Sequence, residues 1–107
     1  MDSKEIKREA KRIANSIKVK LPDAKVYVFG SVAAGSYIEG KSDIDMVVVS
    51  KFFSNKKFLE RLHALNSFFD FPDVKIDIIP LTPKEFAELS KRKTSALYGM
   101  KKKAILL

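Results

Sequence analysis

The chain has 107 residues, 46% of them hydrophobic, no cysteine, and a formal net charge of +8 from 21 Lys+Arg against 13 Asp+Glu. That length predicts one domain over 1–107 with a single core, and no apolar run approaches the ~18 residues of a membrane span. Without cysteine there is no disulfide framework, thiolate nucleophile or cysteine metal site, and the charged start MDSKEIKREAKR lacks the apolar core of a signal peptide. The expected location is the cytoplasm. The positive balance suits polyanionic partners: nucleotides, nucleic acid or an acidic protein. It equally suits a solvated lysine surface, since lysine outnumbers arginine 17 to 4 and glutamine and tryptophan are absent, a composition shared with thermophile surfaces.

Asp2, with Glu5 three positions on, can form a capping box, and Ile6, Ala10, Ile13, Ala14 and Ile17 then recur at helical spacing. The spacing predicts a helix over 3–20 with a solvated basic face. Leu21-Pro22-Asp23-Ala24 is a turn, and 25–29 is β-branched and aromatic, as in a strand. The small residues of 31–36 suit a short helix beginning at the Gly30-Ser31 step. Glu39-Gly40-Lys41-Ser42 is a loop. Residues 44–50 read as a strand, and the consecutive apolar positions Met46–Val49 predict that it is buried on both faces.

Ser54 or Asn55 is the expected cap of a helix over 55–70. Phe58, Leu62, Leu65 and Phe69 form its core stripe, widened by Leu59 and Phe68. Residues 74–79 read as a third strand that stops before Pro80. Thr82-Pro83-Lys84-Glu85 is a helix start, with a Thr cap, a proline in the first turn and a glutamate closing the box. That helix runs to about residue 92 on its pattern, within the usual boundary error. Residues 94–100 carry no clear period, and 104–107 can return as a short edge strand. There is no internal repeat.

The chemistry is concentrated between Val26 and Ser50. A strand ending in Gly30-Ser31 suits a phosphate, because glycine permits close backbone approach and the following N–H groups can face an anion. Asp43 and Asp45 stand two apart at the mouth of the next strand, so alternation puts both carboxylates on one face, with Cα atoms about 6.5 Å apart. Asp77 sits inside the third apolar run, where an unpaired carboxylate is costly to bury. Alone it reads as a solvent-facing strand residue. Beside Asp43 and Asp45 it reads as the third member of a cluster. Three converging carboxylates repel one another unless a cation neutralises them, and hard oxygen ligands favour Mg²⁺, with Mn²⁺ as substitute.

Gly30-Ser31, eleven intervening residues, then Asp43-Ile44-Asp45 resembles the signature of the DNA polymerase β-like nucleotidyltransferase superfamily. At this length the chain is most similar to its smallest branch, the minimal nucleotidyltransferases, which are commonly encoded beside a HEPN-domain toxin. The resemblance covers roughly residues 26–79. It implies an α/β (α+β) fold in which helices pack on a small mixed β-sheet. It further implies transfer of a nucleoside monophosphate, AMP from ATP, to an acceptor hydroxyl on the toxin. The catalytic and metal-binding residues would be Asp43, Asp45 and Asp77, with two Mg²⁺ ions. Gly30, Ser31, Lys41 and Ser42 would contact the nucleotide. One departure stands out: where such chains often read Gly-Ser-x-Ala-Arg-Gly, this one has Ala34 at the arginine position. A competing expectation is therefore a binding module that silences its partner by occlusion alone. The sequence leaves oligomeric state open.

Gly35 to Ser42 matches the pattern G-x-x-x-x-G-K-[ST] of a P-loop, but a strand pattern follows where a P-loop opens a helix. His63, the sole histidine, has no second His or Cys beside it and reads as a surface residue. Tyr37 and Tyr98 are candidates for base stacking or for ordinary packing. The runs Lys91-Arg92-Lys93 and Lys101-Lys102-Lys103 read as solvated surface, and no aromatic–basic signature favours an RNA-binding domain.

Overall fold

The computed structural model describes residues 3–38, 43–70, 75–95, 97–99 and 103–107. Helix α1 (Ser3–Lys20) leads into β1 (Lys25–Phe29), a one-turn-and-a-half α2 (Gly30–Ala34) and β2 (Ile44–Val49). Helix α3 (Phe58–Asn66), β3 (Ile76–Leu81), α4 (Pro83–Lys91) and β4 (Ile105–Leu106) follow. The strands form one mixed sheet in the order β3-β2-β1-β4. The β1–β2 and β1–β4 pairs are antiparallel and the β2–β3 pair is parallel.

Both faces of the sheet are covered, which explains the apolar run Met46–Val49 of β2. On one face Val26, Val28, Ile44, Met46 and Val48 meet the α1 stripe of Ile6, Ala10, Ile13, Ala14 and Ile17, together with Leu65 and Phe69. On the other, Val47, Val49 and Leu81 meet Phe86 of α4 and Leu97. Tyr27 stacks on Phe86 there, with ring centroids 5.0 Å apart. Thr82 caps α4 as its sequence predicts. Its hydroxyl accepts from the Glu85 N–H (3.2 Å), and the Glu85 carboxylate accepts from the Thr82 N–H (2.8 Å). No helix among the described residues is long and apolar enough to cross a membrane.

The mixed α+β architecture is the expected one, and three local expectations need correction. The helix forecast over 55–70 is shorter and starts later. Ser50 instead caps a 3₁₀ turn, Lys51–Phe53, its hydroxyl accepting from Phe52 N–H (3.1 Å). Asn55 then takes the left-handed conformation (φ 62°), which asparagine tolerates and a helix does not. Helix α3 begins only at Phe58, behind Lys57 as its N-terminal boundary residue. Phe58 and Leu59 consequently stay 52% and 78% exposed, although they continue the apolar stripe. The third strand runs through Pro80 to Leu81, because β3 is an edge strand and a missing N–H is harmless on its outer side. The short helix after β1 stops at Ala34, since Gly35 turns left-handed (φ 73°) to cap it. Asp2, the forecast cap of α1, lies outside the described residues.

Candidate active site

Strand register decides where the acids meet. In the parallel β2–β3 pair Asp45 lies opposite Asp77, and in the antiparallel β1–β2 pair Phe29 lies opposite Asp45. Directly opposed residues share a face, so Phe29, Asp45 and Asp77 form one row across three strands. This is the face of Val47 and Val49, two and four residues further along β2. Asp45 is half-buried and Asp77, on the edge strand, is exposed. Asp43 is half-buried just before β2, and its Oδ2 lies 3.7 Å from Lys75 Nζ.

The electrostatics follow from that row. Burial pushes the Asp45 carboxyl above its ordinary range, and the negative charges of Asp77 and Asp43 push it further the same way. All three acids therefore act in one field. Among the described residues, no three His, Cys, Asp or Glu side chains close around a common point as a ready cage. The donor set nevertheless fits a hard divalent cation: its atoms are carboxylate oxygens, and its excess negative charge is what such an ion would neutralise.

Gly30 enters this site for a steric reason. It follows β1 directly, has φ +68°, and opens α2. A β-carbon there would run into the Asp45 carboxylate, with Cγ at 3.4 Å, Cβ at 3.6 Å and Oδ2 closer still. Glycine thus leaves the space that Asp45 fills. Ser31, next in α2, is half-buried. The structure brings Gly30 against Asp45, which lies fifteen residues further along the chain. Lys41 and Ser42 lie outside the described residues.

Residues 10–103 match the family model of the nucleotidyltransferase domain. The chain belongs to that family. Among solved structures it resembles a Sulfolobus solfataricus protein assigned as a nucleotidyltransferase, with TM-score 0.68 and 25% identity over 97% of this chain and 80% of that one. A second structure assigned as a nucleotidyltransferase gives TM-score 0.54 and 33% identity over 76% of this chain and 86% of its own. No curated protein matches it.

The remaining sequence candidates sort plainly within this nucleotidyltransferase domain. The P-loop-like string begins at the residue that ends α2, and Asp43 leads into a strand, so the string does not open a helix. His63 is exposed. Tyr37 is partly buried against the core, and Tyr98 is 47% exposed. Ala34 is an exposed residue at the last position of α2.

Sequence reasoning missed Arg61. It lies four residues before Leu65 on the inward side of α3 and is only 9% exposed. Its guanidinium donates to Glu85 Oε1 (2.6 Å) and Oε2 (3.3 Å), to the Pro80 carbonyl (3.3 Å) and to the Lys56 carbonyl (3.0 Å). One side chain thereby ties α3 to the end of β3 and the start of α4. A cation at stripe spacing was the available signal, with a partner that no local pattern could name.

Proposed function

We propose that this nucleotidyltransferase domain is a minimal, antitoxin-type enzyme that transfers AMP from ATP to a hydroxyl of a HEPN-domain toxin. The observation that carries the reading is the Asp45–Asp77 register with Gly30 held against Asp45. In this reading Ser31, Lys41, Ser42 and the N–H groups after Gly30 hold the β- and γ-phosphates. Asp43, Asp45 and Asp77 hold Mg²⁺, or Mn²⁺ in its place. When bound, the cation offsets the mutual repulsion of the acids and the charge on the phosphates.

Asp77 stands at the exposed end of the row, where an acceptor can reach it. It takes the proton of the acceptor hydroxyl. The hydroxyl oxygen forms a bond to the α-phosphorus, the α–β phosphoanhydride bond breaks, and pyrophosphate leaves with the bonding electron pair. Phe29 flanks Asp45 on the other side and keeps that end of the row apolar. To test this, the protein is incubated with ATP, Mg²⁺ and the HEPN protein encoded beside it, and the partner is weighed. One adenylyl increment that vanishes with Asp45→Asn is the expected result. No increment, or one that survives the substitution, overturns the reading.

A second reading has its own support: the acids do not close into a ready cage among the described residues, and Ala34 offers no guanidinium. Here the same surface neutralises the toxin by covering it. An Asp43→Asn/Asp45→Asn double variant would then still protect cells, and a double variant that binds the toxin without protecting would eliminate this version.

A further inference from the structure

Among the described residues β3 is the last strand of the sheet, and no described strand lies on its outer side. The groups that face outward follow from those that face inward. The Lys75 carbonyl accepts from Ile44 N–H (2.9 Å) and the Leu81 carbonyl from Ser50 N–H (3.0 Å). Odd-numbered residues of β3 therefore turn their backbone groups toward β2, and the N–H and C=O of Ile76 and Ile78 point outward. Pro80 shares that parity, but it has no N–H and its carbonyl is taken by Arg61 (3.3 Å). The open part of the edge is 76–78.

A groove of about 280 Å³ runs along this part, lined by Ile76, Asp77 and Ile78 on one side and Phe58, Leu62 and Asn66 on the other. The helix residues are four apart and so form one line. Beside them Leu59 is 78% exposed. Large apolar side chains next to outward-facing strand amides are what an extended polypeptide requires: the amides supply main-chain hydrogen bonds and the pockets take alternate side chains. The six lining residues include no Lys or Arg, and Asp77 adds a negative charge, so the groove disfavours a phosphate backbone.

We propose that this groove docks an extended segment of the acceptor protein as a fifth strand, antiparallel to β3, with a hydroxyl residue opposite Asp77. The inference rests on the reading of the domain as a protein nucleotidyltransferase. Geometry then dictates a sequence preference. The residue opposite Asp77 shares its face and extends the row of Phe29, Asp45 and Asp77. Because Asp77 directs its backbone groups toward β2, the two residues form a non-hydrogen-bonded pair, with Cα atoms about 4.5 Å apart and side chains close. The residues before and after the hydroxyl turn to the opposite face, toward Phe58 and Leu62. The favoured segment therefore reads apolar–hydroxyl–apolar.

The test uses a synthetic peptide in which valine alternates with threonine around a central tyrosine. Amide hydrogen exchange of the full chain is followed without ATP, so docking is read separately from nucleotide transfer. Saturating peptide is expected to slow exchange at Ile76 and Ile78 by at least about tenfold, since strand pairing protects those amides. N-methylation of the two valines beside the tyrosine removes the donors that face the edge, and is expected to abolish the effect. Ile76→Pro removes one outward donor from the protein at a strand's first position and is expected to weaken docking about two- to tenfold, the scale of a lost hydrogen bond. If that variant fails to fold, the N-methylated peptide still decides. The proposal is overturned by a peptide that leaves Ile76 and Ile78 unprotected, or by an N-methylated peptide that protects them equally. Protection that grows with protein concentration alone also overturns it, because a second copy then occupies the edge. When ATP and Mg²⁺ are then added, transfer to a peptide that leaves Ile76 and Ile78 unprotected removes the fifth strand, whereas failure of the partner-weighing test removes the enzymatic reading and leaves the docking result standing.

Discussion

The carboxylate of Asp45 occupies the space that a β-carbon on residue 30 would need. Gly30 therefore does two things at once: it adopts φ +68°, and it stands aside for the acid. Gly30→Ala is expected to lose about 1–3 kcal/mol of stability through backbone strain and the displaced carboxylate. The larger effect is expected on Mn²⁺ affinity, because Asp45 must leave the row it shares with Asp77. Denaturant titration and Mn²⁺ calorimetry on the same variant separate the two. A folded variant with unchanged affinity would show that the contact between residues 30 and 45 is incidental.

Asp45 also sets the pH behaviour. Its carboxyl is raised above the ordinary 3.8 by burial, then by the charges of Asp77 and Asp43. The folded state thus keeps that proton to higher pH than the unfolded state does. Stability falls as pH rises from the ordinary value through the raised one, and the penalty is complete above it. Asp23 and Glu85 act in the opposite direction. Asp23 is held low by the Lys51 N–H and the Ser50 hydroxyl, and Glu85 by Arg61; both stabilise above their ordinary values and lose that support as pH falls. Asp45→Asn is expected to raise the melting temperature by a few degrees at neutral pH. The gap from the natural chain should close as pH falls toward about 4. Mg²⁺ should raise the melting temperature of the natural chain and not of the variant. Thermal scans across pH, with and without Mg²⁺, check both. A gap that ignores pH would assign the effect to packing instead.

Much of this arrangement is local enough to read from the chain. Helix α1, β1, β2 and the Thr82 cap each carry a complete signal within a few residues, and Asp43-Ile44-Asp45 states its own alternation. The Asp45–Asp77 pairing is different. It depends on β3 being the parallel neighbour of β2 and on a register that no short window contains. Where local rules misled, long-range context explains it. Pro80 reads as a strand stop unless β3 is known to be an edge. Phe58 and Leu59 read as core until Asn55 is seen to delay the helix. Gly30 reads as a phosphate-loop glycine, and the structure adds the carboxylate beside it.

Arg61 and Glu85 make the next prediction. The Arg61 side chain is 11% exposed and serves two backbone carbonyls besides Glu85, whereas the Glu85 side chain is 41% exposed. Removing the arginine strands the Pro80 and Lys56 carbonyls, and Arg61→Met is expected to cost about 2–4 kcal/mol. Glu85→Gln keeps an amide oxygen for the Thr82 N–H and the Arg61 guanidinium at a position that is 41% exposed, so about 1 kcal/mol is expected. Urea titration of the two variants gives the comparison. Equal losses would mean that the ion pair, and not the carbonyl contacts, holds α3 to β3 and α4.

Lys75 supplies a different kind of test, because its ammonium competes for Asp43. The Nζ–Oδ2 separation is 3.7 Å, and the lysine side chain is 80% exposed. An exposed pair of this kind contributes little to folding, so Lys75→Gln is expected to change stability by less than about 0.5 kcal/mol. Its effect on cation binding has the opposite character. A divalent ion at the acid row must displace the lysine from Asp43 and approach a local positive charge. Without it, Mn²⁺ affinity should rise about two- to threefold, with the gain fading as salt screens the lysine. Mn²⁺ titration at low and high salt reads this directly. An affinity that is unchanged at both would place the bound cation away from Asp43, toward Asp45 and Asp77.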